Sequence, residues 1–346
     1  MQIDFPTDGA SPILAGSEMS LAGSHLFSSA SDGVLDAAVR LLEADRRFII
    51  VAGALPAAVR LRELLSPTPL VDEAGLPISR RPDGRVELFR AHAPAPQRRA
   101  LLAAHAEGHI VGLILTPDDL AAFGTLEALS AMPPAIWLVQ DIHAVSLASI
   151  GFSPALRRLR DVLSQGLASG MWLFTPVPTH DLVRELCTLF AIPGERVHLE
   201  PILFPRNVAI TFHREPRALR DREVLSAGLR HYLGASAGTR GLLVAPPRDG
   251  GDDLLPQAEL ASVAEEVGAE PHRDPGEDLE ARTEGWASLF RRSEGILLTG
   301  EPEAIEILPD TAASRLLFRL AAPEAPERVL EEAIKLARRG GGRWVY

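Results

Sequence analysis

Cysteine is all but missing: Cys187 is the only one in 346 residues. An intrachain disulfide is therefore impossible, and a structural zinc site built from several cysteines is excluded. Leu182, Leu186 and Leu189 flank Cys187 at helical spacing, so it reads as a packed helix residue. Lysine is equally scarce, with Lys335 the single example among 35 basic residues. Arginine enrichment suits phosphate recognition, although a GC-rich genome produces the same bias and is the simpler account. No apolar run approaches the ~20 residues that a membrane span requires. The stretch Met1–Ser20 holds Asp4, Asp8 and Glu18 and no basic residue, unlike a secretory signal. A soluble cytoplasmic protein with no membrane contact is expected. The net charge of −11 works against nonspecific nucleic-acid binding by the surface at large.

What is present is a large apolar fraction, 46%, in a chain long enough for two domains. Residues 1–30 are rich in Gly, Ser, Ala and Pro without a sustained period, and read as a flexible arm. From Asp32 helical spacing (Val34, Ala37, Ala38, Leu41, Leu42) leads into the apolar run Phe48–Val51. Residues 65–84 read as loop. Strands follow at 110–115, 136–139 and 171–174, alternating with helices at 96–107, 117–131, 155–169 and 179–190. Such alternation predicts a parallel sheet covered on both faces. Residues 214–240 are charged, then Gly/Ser-rich, and read as a linker. A second series has strands at 241–245, 295–299 and 316–320, with helices at 257–268, 279–292 and 326–339. The expected layout is an arm (1–30), an α/β domain (31–213), a linker (214–240) and a shortened second α/β domain (241–346).

Several stretches carry a family resemblance through their order and spacing. Val139-Gln-Asp-Ile-His143-Ala-Val-Ser146, continuing through Phe152-Ser-Pro154, resembles the Walker-B motif of RecQ-type helicases and the aromatic-rich loop behind it. Leu113-Ile-Leu-Thr-Pro117-Asp-Asp-Leu120 is similar to the family's L-Y-V-A-P-E-R-L. Thr175-Pro-Val-Pro stands where the family has T-A-T-A. Phe204-Pro-Arg206-Asn207 resembles the F-D-R-P-N stretch that closes the first domain. Glu331-Glu-Ala-Ile-Lys335-Leu-Ala-Arg338-Arg-Gly340 resembles the arginine-finger motif. The resemblance covers roughly residues 31–346 and implies an α/β architecture of two tandem RecA-like domains.

It also implies a dismantled ATP site. A phosphate-binding loop needs backbone N–H groups, a lysine on the β/γ-phosphates and a hydroxyl on magnesium. By this alignment the lysine position falls on Ala58 and the hydroxyl position on Val59, while Pro56 removes an N–H. The metal-holding aspartate falls on Gln140, a poor magnesium ligand, and the glutamate on Asp141. A shifted register would put Asp141 in the metal role but still supply no lysine. The adenine-reading position falls near Leu35, and the loop coupling hydrolysis to DNA falls on Ala148 and Ile150. Lys335 keeps charge without the guanidinium fork, and Arg338 keeps both. Arg338 is more simply a C-terminal helix residue facing the macrodipole. The family's zinc-binding and winged-helix parts are not expected here.

Other signals are weaker. His105 and His109 stand four apart, but Gly108 intervenes, so structural roles are expected. Asp249 with Gly250-Gly-Asp-Asp253, and the run Asp274 to Glu280, read as solvated acidic surface. The expected function is a catalytically inactive RecQ-like helicase homologue, a binding or scaffold component of a DNA-related complex. It would have a protein partner and would need no cofactor. Two alternatives stay open. One is a divergent ATP-dependent DNA helicase using ATP and magnesium. The other is an ATP-independent single-strand DNA-binding module using Arg157, Arg158, Arg160 and Arg206.

Overall fold

A computed structural model describes residues 23–28, 33–65, 85–143 and 154–199 of a first unit. In a second unit it describes 208–211, 222–233, 240–244, 257–266, 271–273, 283–285, 296–299, 315–319, 326–338 and 342–345. The units divide between Ile202 and Leu203.

The first unit is a seven-stranded parallel sheet in the order β3-β4-β2-β5-β6-β1-β7. Its strands are β1 (Gly23–Ser28), β2 (Phe48–Val51), β3 (Val86–Leu88), β4 (Gly112–Leu115), β5 (Ala135–Val139), β6 (Ala168–Thr175) and β7 (Val197–His198). Its helices are α1 (Gly33–Glu43), α2 (Leu55–Leu65), α3 (Ala95–Ala106), α4 (Pro117–Ala121), α5 (Thr125–Ser130), α6 (Pro154–Ser164) and α7 (His180–Leu189). Side chains along a strand alternate between faces, and the core divides accordingly. Ile49, Val51, Leu113, Leu115, Trp137, Val139, Met171 and Leu173 share one cluster with residues of α4 to α7. Phe48, Ile50, Ile114, Ile136, Leu138, Trp172 and Phe174 share the other with α1 and α2. Both faces are covered, which is why the central strands are continuously apolar.

Several sequence expectations need correction. Residues 23–28, expected to be part of a flexible arm, form β1, inserted between β6 and β7. Leu26 and Phe27 are wholly buried there, one on each face. Phe27 stacks on Phe174 and His198 with ring centroids 5.1 and 4.8 Å apart. Burying two such side chains contributes roughly 1.5–3 kcal/mol each, enough to hold a polar-looking segment in the sheet. The helix expected over 117–131 is two, α4 and α5, because Gly124 adopts φ +80° between them. Finally, Val208–Thr211, expected within the first domain, is β8 and pairs with a strand of the second sheet.

The second unit is a six-stranded parallel sheet, order β10-β11-β9-β12-β13-β8. Its strands are β8, β9 (Arg240–Val244), β10 (Pro271–Arg273), β11 (Ile296–Thr299), β12 (Arg315–Arg319) and β13 (Gly342–Val345). The expected linker contains the helix α8 (Arg222–Leu233), joined by α9 (Gln257–Glu266) and α10 (Pro326–Arg338). Arg222 on α8 bonds Ser262 and Glu266 on α9, so the charged composition reflects a helix–helix contact. Most of the helix expected at 279–292 lies outside the described residues. Both units are thus α/β with parallel sheets flanked by helices.

Candidate functional site

The order of strands around β2 locates the site. From β2 the chain moves to β3 and β4 on one side, then crosses to β5 and β6 on the other. Open parallel sheets bind ligands at the carboxyl ends of the strands beside such a reversal. The loop after β2 and the turn after β5 therefore face the same crevice.

After β2 the backbone N–H of Ala52 is used in the ladder, donating to the Leu115 carbonyl (2.9 Å). Only Ala52, Gly53 and Ala54 separate β2 from α2. Ala58 and Val59 on α2 are completely buried, and Ala58 belongs to the core cluster with α1. Neither offers a polar atom beyond its backbone. Pro56 lies in the first turn of α2, where a phosphate cradle would draw on free N–H groups.

Across the crevice the Gln140 N–H donates to the Val51 carbonyl (2.9 Å), continuing the pairing of β5 with β2. Gln140, Asp141 and His143 are all buried. The Gln140 Oε1 has no hydrogen-bond partner. Asp141 adopts a left-handed backbone, φ +49°, a conformation that aspartate tolerates better than most residues but that still costs on the order of 1 kcal/mol. Its turn aims the carboxylate at the opposite loop: a Cβ built on Gly53 would lie 3.1 Å from Asp141 Oδ2. The space above Gly53 is thus taken by an acidic side chain.

A third part was missed by sequence reasoning. Thr116 and Asp119, at the carboxyl end of β4, form a capping box around the first turn of α4. The Thr116 hydroxyl donates to Asp119 Oδ2 (2.8 Å), and the Asp119 N–H donates back to Thr116 Oγ1 (3.2 Å). Asp119 also accepts from the Ala91 N–H (2.9 Å) and lies 3.5 Å from Arg90 Nε, tying the exit of β3 to that of β4. The Thr-x-x-Asp spacing was the available signal. Thr175, buried at the end of β6, accepts from the Val177 N–H (3.2 Å).

The remaining predicted residues are dispersed. Arg157, Arg158 and Arg160 lie on α6, with Arg157 and Arg160 exposed and Arg158 3.9 Å from Asp161. Lys335 is buried on α10, with its ammonium 2.8 Å from Glu331 of the same helix. Arg338 is the last residue of α10. Arg206, the segment 144–153 and the acidic stretches near 249–253 and 274–280 lie outside the described residues. His105 is buried, its Nδ1 3.0 Å from the Ile110 carbonyl, whereas His109 is exposed and pairs with Glu107. The two imidazoles therefore do not converge. Cys187 is half-buried against the core, and burial raises its thiol pKa.

No protein-family model matches the sequence, and neither does any curated protein. Solved structures do match in fold. One is the DEAD-box helicase Mss116 bound to single-stranded RNA and UDP-BeF, at 12% identity and TM-score 0.58. That match covers 94% of this chain and 66% of the other. A second structure, Mss116p bound to single-stranded RNA and AMP-PNP, matches at 11% identity and TM-score 0.59, covering 94% and 65%. This chain thus spans just under two thirds of those proteins. The likeness shows the fold alone: the chain has a RecA-like α/β fold, similar to that of these helicase structures.

Proposed function

We propose that the chain is a helicase-fold protein that has given up ATP hydrolysis and serves as a binding or scaffold component, RecQ-like in its sequence motifs. The observation that carries this reading is the Asp141 carboxylate packed over Gly53. A phosphate-binding loop requires that space for an anion, and a carboxylate there repels a triphosphate instead of neutralising it. The buried Ala58 and Val59 supply neither a cation nor a hydroxyl, and Lys335 already has an anionic partner in Glu331. Phosphoryl transfer depends on positioning and charge neutralisation, and these positions offer neither. No ATP, magnesium or other cofactor is required by this role.

The test uses the full chain. Calorimetry with a non-hydrolysable ATP analogue and magnesium is expected to show no binding. Phosphate release is expected to stay at background with single-stranded DNA or RNA added. Both arms are needed, because the fold neighbours named above hold RNA while the sequence motifs resemble a DNA helicase. Nucleic-acid-stimulated turnover that disappears in Asp141→Asn would establish an active enzyme and end this proposal.

A second reading rests on the exposed Arg157 and Arg160 of α6: single-strand binding without ATP. Phosphate contacts weaken steeply with salt, so an affinity that does not fall between 50 and 200 mM salt, a range chosen from the ~10³-fold losses typical of phosphate contacts, excludes it. The net charge of −11 favours the protein scaffold.

A further inference from the structure

At the opposite, amino-terminal ends of the strands lies a second cleft of about 500 Å³. Arg46 and Arg47 immediately precede β2, and Arg85 precedes β3; all three line it, with Asp45 at the same turn. Val111 and Ile136 lie at its floor with their side chains buried in the core. A strand of four residues, roughly 13 Å, separates this cleft from the crevice at Gly53, so the two are distinct places.

A structural account exists for part of the arginine cluster. Arg47 Nη1 donates to the Ala106 carbonyl (2.9 Å), where a cation complements the C-terminus of α3. Arg85 Nη2 reaches the Gly108 carbonyl at 3.4 Å and pairs with Asp45 at 2.5 Å. Arg46 is exposed, and its guanidinium makes no ion pair among the described residues. Among the described residues, three arginines and one carboxylate thus line the cleft in a protein of net charge −11. That carboxylate is a loose occupant. The Asp45 side chain is 69% exposed, and its backbone is a left-handed turn (φ +54°) ending α1, closed by the Arg46 N–H on the Leu41 carbonyl (2.9 Å). Its position needs the turn and not the charge.

We propose that this cleft binds the phosphate group of a small phosphate-bearing ligand. The phosphate would replace Asp45 on Arg85 and recruit Arg46, since arginine forks match phosphate oxygens in pairs. A volume of this size suits a small ligand, and the concave shape excludes a duplex. The inference is independent of whether the opposite end of the sheet handles ATP.

The test is calorimetric titration of the full chain with phenyl phosphate and, separately, inorganic phosphate. Both are expected to bind, since the phosphate is the group that the arginines recognise. Charge-assisted contacts of this kind imply about tenfold weaker binding for Arg85→Gln and about threefold for Arg46→Gln. Arg46→Gln removes no side-chain hydrogen bond or ion pair among the described residues, so it remains informative if Arg85→Gln fails to fold. Asp45→Asn keeps the left-handed turn and removes the competing charge, so it is expected to bind about threefold more tightly. Binding indifferent to Arg46→Gln, or unchanged by Asp45→Asn, overturns the proposal, as does an absence of phenyl phosphate binding at millimolar concentrations.

Discussion

Single residues carry much of the first unit's stability, and two make sharp demands. Asp119 is buried and gathers the Thr116 hydroxyl, the Ala91 N–H and the Arg90 guanidinium around one carboxylate. Removing one partner from a buried ionic network strands the others. Asp119→Ala is therefore expected to lower unfolding free energy by about 3–5 kcal/mol, with Asp119→Asn losing less, as read from urea denaturation midpoints. His105 is a neutral core histidine. Burial, more than any other cause, lowers its pKa from 6.5 to about 4. The folded pKa lies below the unfolded one, so the unfolded chain binds more protons between these values. Stability from this site is full above pH 6.5 and falls as pH drops toward 4, by an amount on the order of 3 kcal/mol. His105→Gln is expected to flatten that stretch of the stability–pH curve measured by denaturant titration; an unchanged slope would exclude His105 as its source.

At the level of strands and helices, legibility tracked burial on two faces. The strands β2, β4 and β5 and the Met171–Phe174 stretch of β6 are apolar runs, and the sequence displays them plainly. Strand β1 reads Gly-Ser-His-Leu-Phe-Ser and owes its place to pairing with β6, more than 140 residues later; no local pattern announces such a partner. Strand β8 was assigned to the wrong unit for the same reason, since its mate β13 stands at the far end of the chain. In the candidate site the residues 140, 141 and 143 were readable by motif spacing. The left-handed turn at Asp141 and its approach to Gly53 were not, because they arise only when β2 and β5 lie side by side. Close packing between strands also sets a limit on substitution. A Cβ on Gly112 of β4 would stand 2.5 Å from the ring of Phe48 on β2. Gly112→Ala is expected to destabilise the protein by about 1–3 kcal/mol through overpacking. The double variant with Phe48→Leu should recover part of that loss; thermal melts of the three variants form a double-mutant cycle.

For the molecule as a whole, the division between Ile202 and Leu203 has a physical basis, because each side owns a complete parallel sheet. A fragment of residues 1–202 is expected to unfold cooperatively on its own, monitored by circular dichroism. A fragment of residues 1–213 would carry β8 without β13 and is expected to be less soluble, since an unpaired strand invites intermolecular pairing. Equal solubility of the two would mean that β8 finds shelter in the first unit. The same division explains why motif order could suggest the architecture while the domain limits slipped: motifs mark strand ends, whereas limits depend on which distant strand completes a sheet.

The buried Lys335 has a practical consequence. It is the chain's only side-chain amine, and it is held by Glu331 inside α10. Amine-directed reagents, which require an exposed and deprotonated nitrogen, therefore find no accessible side chain in residues 1–346 while α10 stays folded. A label appearing on this one side chain would thus report the opening of α10.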